Sequence, residues 1–354
     1  MKQINFLSLG LALSLNAVAG VDSAWQGFSD PEIMGSGFIN TMSELPLEGQ
    51  IADSKKNWSS SYWPTNKGSI GNRWNSPKEK DLFFTNSPDR ATVMKMSLEQ
   101  LALLSPAEKF DLFMGNYDYR FKKEIYETSA SKSAKDWNGI CHGWAPAAKN
   151  HNEPTPKIMT NPDGISIPFG SADIKGILSY YYAFNTEDQE TSQVGLRCFF
   201  GGWLGGVKGC DQDLNAGAFH IIIANKFGIQ KEGFLVDIDR HKEVWNQPAY
   251  GFKSRIVANL PRSKGAASSA VREIRVETDF FYVDESDLTW QPVYGTSGQK
   301  ISKKEYVYRL ELNYEGKIVG GAWESKERPD FLWDKDKTPH FTGDFARLPE
   351  LLND

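Results

Sequence analysis

The sequence predicts an α+β fold, because signals for helix starts come first along the chain and strand patterns follow. Of its 354 residues, 40% are hydrophobic and 13% aromatic, which is enough to build a sizeable core. The chain has no repeat at a fixed period and no low-complexity tract. We therefore expect one main body with an N-terminal wrap and a C-terminal sheet.

Two serine-led segments predict helix starts. Ser97-Leu98-Glu99-Gln100 and Ser105-Pro106-Ala107-Glu108 both match the capping box, and the second also has proline at the first helical position. A run of small residues after Cys141 and the segment 174–182 predict two further helices. Residues 20–92 have no clean period, and we interpret them as an irregular segment that wraps the body.

Strand patterns begin near residue 218. Segments 218–225 and 234–239 are continuous apolar runs, which predict two strands buried on both faces and joined by a turn. Alternation over 274–282 and over 306–314 predicts strands with one buried face, and Glu315-Gly316 predicts a turn into the next strand. Between the helices and these strands, the glycine-dense span 199–209 predicts a loop.

Charge and motif content exclude several functions. With 40 basic and 45 acidic residues the formal charge is −5, which excludes a bulk electrostatic grip on nucleic acid. Walker, G-x-G-x-x-G, G-x-S-x-G and H-E-x-x-H motifs are all absent. Asp211-Gln212-Asp213-Leu214-Asn215 resembles the opening of a calcium loop, but Ala216 and Ile222 stand where glycine and glutamate are required. The sequence therefore requires no cofactor and predicts no metal site, and calcium stays an open alternative.

The first 19 residues have the three parts of a signal peptide. Lys2 supplies the positive start, an apolar run follows, and Ala17-Val18-Ala19 supplies a cleavage site before Gly20. The apolar run is shorter than the roughly 20 residues of a membrane span. We expect cleavage near Ala19 and a secreted or periplasmic protein that does not span a membrane, in which disulfides can form.

The three cysteines separate into a pair and a single residue. Cys198 and Cys210 flank the glycine-rich loop, and in an exported protein we expect them to form a disulfide, the alternative being two free thiols. Cys141 is then left over. It follows a glycine turn and precedes a helix-like run, so the helix dipole would lower the pKa of its thiol. The competing interpretation is an inert buried cysteine.

A reactive thiol needs a base, and His220 is the best candidate among five histidines. It lies within the apolar run 218–225, where it would be either a hydrogen-bonded core residue or a base. Asp237 lies 17 residues later in the next predicted strand, where it could orient the imidazole. Asp239 would point to the same face and is the alternative acid. A cysteine on a helix followed by histidine and aspartate on successive strands is the order of the papain-like superfamily.

Several segments resemble the transglutaminase elicitor family, known from oomycete cell-wall glycoproteins and present in bacteria. Val244-Trp245-Asn246-Gln247-Pro248, followed by Gly251-Phe252-Lys253, resembles the surface epitope of that family, although Ala249-Tyr250 replaces its Val-Arg pair. Segments 137–148, 165–173, 217–220, 320–323 and 329–333 are also similar to it. The resemblance covers over half of the chain.

The resemblance implies a secreted protein-glutamine γ-glutamyltransferase with a papain-like or transglutaminase-like core, its cysteine at a helix N-terminus packed on an antiparallel sheet. Cys141 would be the nucleophile, His220 the base and Asp237 the orienting acid. Glutamine-bearing and lysine-bearing proteins would be the partners, and water in place of the amine would give deamidation. Asn138 or Trp137 could supply an oxyanion donor beside the backbone N–H of Cys141, and Trp144 could line a substrate tunnel. These two assignments complete the predicted site.

The predicted organisation has four segments. Residues 1–19 are the signal peptide, and residues 20–130 are an N-terminal irregular and helical extension that could act as a propeptide. Residues 131–335 form the catalytic domain with its C-terminal strands, and residues 336–354 form a tail.

Two other functions are alternatives to the transglutaminase. A secreted papain-like cysteine protease or amidase would employ the same triad with water as the acceptor. A non-enzymatic surface-binding module would have lost the triad, and the intact set Cys141, His220 and Asp237 argues against it.

Overall fold

A computed structural model of the chain describes residues 25, 27–52, 55–77, 86–186, 191–197, 214–238, 240, 243–335 and 340–353. The helices of this part are α1 (Arg90–Val93), α2 (Leu98–Ala102), α3 (Pro106–Phe113), α4 (Arg120–Thr128), α5 (Cys141–Asn150), α6 (Ser171–Phe184) and α7 (Ala216–Ile223). A π-helical stretch, Ala224–Gln230, continues α7. Short 3-10 turns occur at Pro31–Met34, Met42–Glu44, Thr65–Lys67, Ser69–Gly71, Gly343–Phe345 and Leu348–Leu351.

The strands form one large sheet and one small sheet. They are β1 (Glu48–Gln50), β2 (Lys157–Thr160), β3 (Ser166–Phe169), β4 (Ser192–Val194), β5 (Leu235–Asp237), β6 (Asn246–Pro261), β7 (Arg272–Val283), β8 (Ile301–Leu312), β9 (Ile318–Trp323) and β10 (Phe331–Asp334). The eight-stranded sheet has the order β4-β10-β5-β6-β7-β8-β9, with β1 paired to β6, and β2 pairs with β3 separately. These pairings are antiparallel. The α+β fold class is therefore confirmed.

The predicted capping boxes form as expected. Ser97 accepts a hydrogen bond from the backbone of Gln100, whose side chain accepts one from the Ser97 backbone, and the same reciprocal pair links Ser105 and Glu108. These bonds satisfy backbone groups that a helix start otherwise leaves unpaired. The Glu108 carboxylate is also paired with Arg73. The second cap thus connects α3 to the N-terminal segment.

Helices α5 and α7 lie on opposite faces of the large sheet, as the side chains of strand β5 show. Leu235 packs with Ala145 of α5, whereas its neighbour Val236 packs in the cluster that contains Phe219 of α7. Side chains alternate across a strand, so adjacent residues face opposite sides. Two cores therefore lie on the two sides of the sheet.

The predicted strand over residues 218–225 is wrong, because this segment is helical. Helix α7 begins after Asn215, whose side chain accepts a hydrogen bond from the Gly217 N–H at 2.8 Å. All eight α7 residues are buried, so the helix is apolar on every side and lacks the polar face that marks a surface helix. The predicted hairpin between 218–225 and 234–239 is wrong for the same reason. Asn215, which ends the calcium-like segment, here caps a helix.

The N-terminal segment is part of the body. Trp58 and Trp63 are buried in the same core as α5 and α6, and β1 pairs with β6. The Asn57 N–H also donates to the Ala148 carbonyl of α5. Removing residues 27–77 would thus open the core and expose one side of α5. Within the described ranges, none of the helices has the length and hydropathy that crossing a membrane requires.

Candidate active site

Cys141 is the first residue of α5, as predicted from the glycine turn before it. The Ile140 N–H just upstream donates to the Tyr62 carbonyl at 2.7 Å. A Cβ at Gly139 would lie 2.3 Å from that same oxygen, so only glycine fits here. In the first turn of α5, a Cβ at Gly143 would lie 2.0 Å from the Ser179 carbonyl of α6. Two close backbone approaches therefore fix the start of the helix that carries the thiol.

The Cys141 side chain contacts the beginning of β6. Its Sγ lies 3.7 Å from the Val244 carbonyl, to which the thiol donates, and the Asn246 Nδ2 donates to Sγ at 3.8 Å. Cys141 is 6% exposed, which places the sulfur just beneath the surface. The segment predicted to be a surface epitope thus packs against the thiol.

The thiol is protonated at neutral pH. Burial raises the pKa of Cys141 to about 11, hydrogen bonds from Asn246 oppose that rise, and the nearby carboxylates of Glu285 and Asp237 add to it. The sequence-based expectation of a lowered pKa at the helix N-terminus is therefore wrong, because desolvation and the negative neighbours outweigh the helix dipole. Any reaction of this sulfur needs a base to remove its proton.

Asp237 lies near the thiol and acts on it electrostatically, whereas the sequence predicted that it would lie beside His220 and orient its ring. It ends β5 and pairs in register with Asn246 of β6. One carboxylate oxygen accepts a hydrogen bond from the Trp245 N–H at 3.1 Å. Asp237 therefore holds the start of β6 in place, next to the residue that contacts Cys141.

His220 lies away from this group. Its Nδ1 is 2.7 Å from the Tyr308 hydroxyl, on the α7 side of the sheet. The Tyr308 hydroxyl contacts Thr278, which in turn contacts Ser254, each at 2.7 Å. The structure thus brings Cys141 and Asp237 together on the α5 side and places His220 on the other side. Its surroundings match the alternative interpretation of a hydrogen-bonded core histidine.

Of the residues predicted to donate to the oxyanion or to line a tunnel, Trp144 lies in the core, and Trp137 and Asn138 lie just before Cys141. Trp144 is fully buried and its indole N–H donates to the Trp58 carbonyl at 3.2 Å, so its predicted role in lining a substrate tunnel is wrong. Trp137 and Asn138 lie in the turn that leads to Cys141. Within the described part of the chain, the buried Trp137 Nε1 and Asn138 Oδ1 have no hydrogen-bond partner.

Three half-exposed side chains and one exposed side chain form the rim around the thiol. The rings of Tyr62 and Trp245 meet edge to face at 5.5 Å, and the Tyr62 hydroxyl donates to the Asp136 carbonyl at 2.7 Å. Glu285 accepts a hydrogen bond at 2.8 Å from the Nε2 of Gln247, a buried residue next to Asn246. We call Tyr62, Asp136, Trp245 and Glu285 the rim. The solvent-accessible rim thus surrounds the buried residues Cys141 and Asn246.

Four residues of interest lie outside the described residues. These are Cys198 and Cys210 of the predicted disulfide, the alternative acid Asp239, and His241. Among the residues that are described, no three His, Cys, Asp or Glu side chains are grouped so as to hold a metal ion.

Comparison with known proteins agrees with this architecture. The family model described as transglutaminase elicitor matches residues 122–343, more than half of the chain. The chain belongs to the transglutaminase elicitor family. None of the curated protein sequences matches it.

A solved structure extends the similarity of this family member to most of its length. The crystal structure of the GP42 transglutaminase from Phytophthora sojae matches with a TM-score of 0.70 and 22% sequence identity. The match covers 93% of this chain and 97% of that one. At this identity the match establishes a shared fold. Membership of the transglutaminase elicitor family supports a transglutaminase-like function that acts on proteins.

Proposed function

We propose that the protein is a secreted transglutaminase that forms a thioester between Cys141 and the γ-carboxamide of a protein-bound glutamine. The observation that supports this most directly is a buried thiol at the start of α5, contacted by Asn246 and surrounded by a half-exposed rim, in a member of this family. The acyl group then passes to a lysine or another primary amine, or to water. Transfer to an amine crosslinks two proteins, and transfer to water deamidates the glutamine.

The first step displaces ammonia. The sulfur attacks the carboxamide carbon, the thiol proton passes to the carboxamide nitrogen, and the C–N bond breaks to release neutral ammonia. In the second step an amine attacks the thioester carbon and the C–S bond breaks, which returns the thiol. Because the pKa of Cys141 is about 11, proton removal accompanies attack instead of preceding it.

The papain-like arrangement that we propose uses Cys141 and Asp237 without His220 as the base. Asp237 holds the start of β6 through the Trp245 N–H, and Asn246 positions the sulfur. His220 packs against the opposite face of the sheet, so we assign it a structural role. We also propose that Trp137 serves the oxyanion, because a buried indole N–H without a partner is a ready donor.

One assay tests the proposal. Incorporation of a labelled primary amine into a glutamine-bearing protein is expected in the wild type and is expected to be lost in Cys141→Ala. His220→Gln, assayed at pH 8, is the matched control and is expected to retain incorporation, because its side chain lies on the α7 side.

Other outcomes would replace the proposal. Cleavage of peptides without amine incorporation would favour the secreted papain-like cysteine protease or amidase. Equal incorporation by Cys141→Ala would remove the nucleophile from the mechanism. Loss of incorporation in His220→Gln, with folding intact, would restore the base that the sequence predicted.

Export and processing are further parts of the proposal. The signal-like start of the chain supports secretion with cleavage near Ala19. We propose that residues 27–77 stay with the mature protein, because Trp58 and Trp63 belong to its core. A propeptide within residues 20–130 would have to leave that core intact. The family match itself begins at residue 122, before the predicted domain boundary at residue 131.

A further inference from the structure

The charges around the thiol are negative. Glu285 and Asp237 both act electrostatically on Cys141, and Glu285 and Asp136 both act on Tyr62. Among the described residues, no basic side chain is one of the main electrostatic influences on either group. A cleft lined by one sign of charge concentrates ligands of the opposite sign. This site therefore favours a cation.

The rim also offers aromatic faces. Tyr62 and Trp245 stand edge to face, and the hydrogen bond from the Tyr62 hydroxyl to Asp136 fixes the ring. An ammonium group binds favourably over the face of a tyrosine or tryptophan. A lysine side chain, with its aliphatic stem and charged end, matches this combination of rings and carboxylates.

Glu285 is held in place from three directions. Gln247 of β6 donates to its carboxyl group at 2.8 Å, Asp284 accepts from its backbone N–H at 2.9 Å, and the following Ser286 N–H donates to the Ser60 carbonyl at 3.0 Å. A half-exposed carboxyl group is thus fixed within electrostatic reach of the thiol.

We propose that Glu285, Asp136 and the Tyr62–Trp245 pair form the acceptor site for a protonated primary amine, and that Glu285 takes the ammonium proton as the amine attacks the thioester on Cys141. This inference rests on the proposed function. The ammonium gives one proton to the Glu285 carboxylate, its nitrogen forms the amide bond, the C–S bond breaks, and the second proton goes to the Cys141 sulfur. The products are an isopeptide, a thiol and a neutral Glu285.

The acidity of Glu285 suits this role. Burial and the Asp284 side chain together raise its pKa to about 8, although the hydrogen bond from Gln247 opposes the rise. The groups that face it are Asp284, Gln247, Tyr62 and Cys141, and Lys304 acts on Asp284 from β8. A base with this pKa accepts a proton from an amine more readily than an ordinary carboxylate does. Cation attraction should therefore increase as the pH rises through about 8.

A pair of thiol reagents tests the acceptor site without any enzymatic turnover. We would measure the rates at which neutral methyl methanethiosulfonate and its trimethylammonium-bearing analogue modify Cys141 between pH 6 and 9.5, by peptide mass spectrometry. Their ratio cancels the thiolate fraction. In the wild type the preference for the cationic reagent is expected to grow about fivefold across this range, the order expected for one half-exposed charge pair. In Glu285→Gln, which keeps the hydrogen-bonding shape, the ratio should stay flat.

Glu305→Gln, an exposed acid on β8, is the matched control and should behave as the wild type. A ratio that still grows with pH in Glu285→Gln as it does in the wild type would overturn the inference. With turnover at pH 9, where Glu285 is ionised, the fall in kcat/KM of Glu285→Gln for a cationic amine should exceed the fall for hydroxylamine, which is uncharged at that pH, by about fivefold. If the wild type prefers the cationic reagent at Cys141 but incorporates no amine, the cation site is supported and the proposed transglutaminase function alone is contradicted.

Discussion

Replacing Asp173 by alanine is expected to lower the free energy of unfolding by about 3–5 kcal/mol, or to prevent folding, because the change leaves a buried lysine without its partner. Lys109 and Asp173 are both fully buried, with Nζ and Oδ2 2.7 Å apart. Asp173 also accepts hydrogen bonds from the Gly170 N–H at 2.7 Å and from the Trp74 indole at 2.8 Å. Urea unfolding monitored by tryptophan fluorescence would measure the change.

The control for this prediction is an exposed ion pair in the same region. Arg90 and Asp163 are 2.9 Å apart, but their side chains are 53% and 32% exposed. Asp163→Ala should therefore cost less than about 1 kcal/mol. The double variant Lys109→Met/Asp173→Ala should recover part of the loss, since it removes the uncompensated charge. Equal losses at Asp163 and Asp173 would contradict the prediction.

Replacing His220 by glutamine is expected to change how stability depends on pH. Burial lowers the pKa of His220 to about 4, against an ordinary value of 6.5. The unfolded chain therefore takes up this proton at a higher pH than the folded chain does. The stability that the neutral histidine provides is present above pH 6.5 and is lost as the pH falls towards 4, by about 3 kcal/mol in all. His220→Gln lacks this dependence.

The test compares the two proteins at each pH, because other groups titrate in the same range. Burial raises the pKa of Asp111 to about 6, which has the opposite effect on stability. The difference in unfolding free energy between wild type and His220→Gln cancels such groups. That difference should shift against the wild type between pH 7 and 4.5. A constant difference would mean that His220 carries its proton in the folded protein as it does in the unfolded one.

The local parts of the fold follow from the sequence. The two capping boxes depend on residues three positions apart, and both helices start where the pattern places them. The strands β7 and β8 alternate visibly, because one face of each is buried and the other is partly exposed. Helix α7 was missed because Ile221, Ile222 and Ile223 are β-branched residues of a helix that is buried on all sides. Tertiary burial there outweighs intrinsic strand preference.

The candidate site was predictable in part. Cys141 stood out through its glycine turn and small-residue helix, and Asp237 through a charge in an apolar strand. Asn246 lay in a segment interpreted as a surface epitope, and only its pairing with Asp237 brings it to the thiol. Glu285 carries no sequence signal, because its position depends on how the end of β7 meets Gln247 and Ser60. Such contacts join distant parts of the chain and leave no periodic pattern.

The thiol environment has a consequence for folding and for fragments of the protein. Its walls come from residues 62, 141, 246 and 285, so the first and last are separated by 223 positions along the chain. Contacts over such distances form slowly, since the intervening chain must be ordered before they can close. The pocket should be among the last regions to mature during synthesis. A truncated chain that ends before β7 would keep the cysteine and lose the surroundings that control its proton.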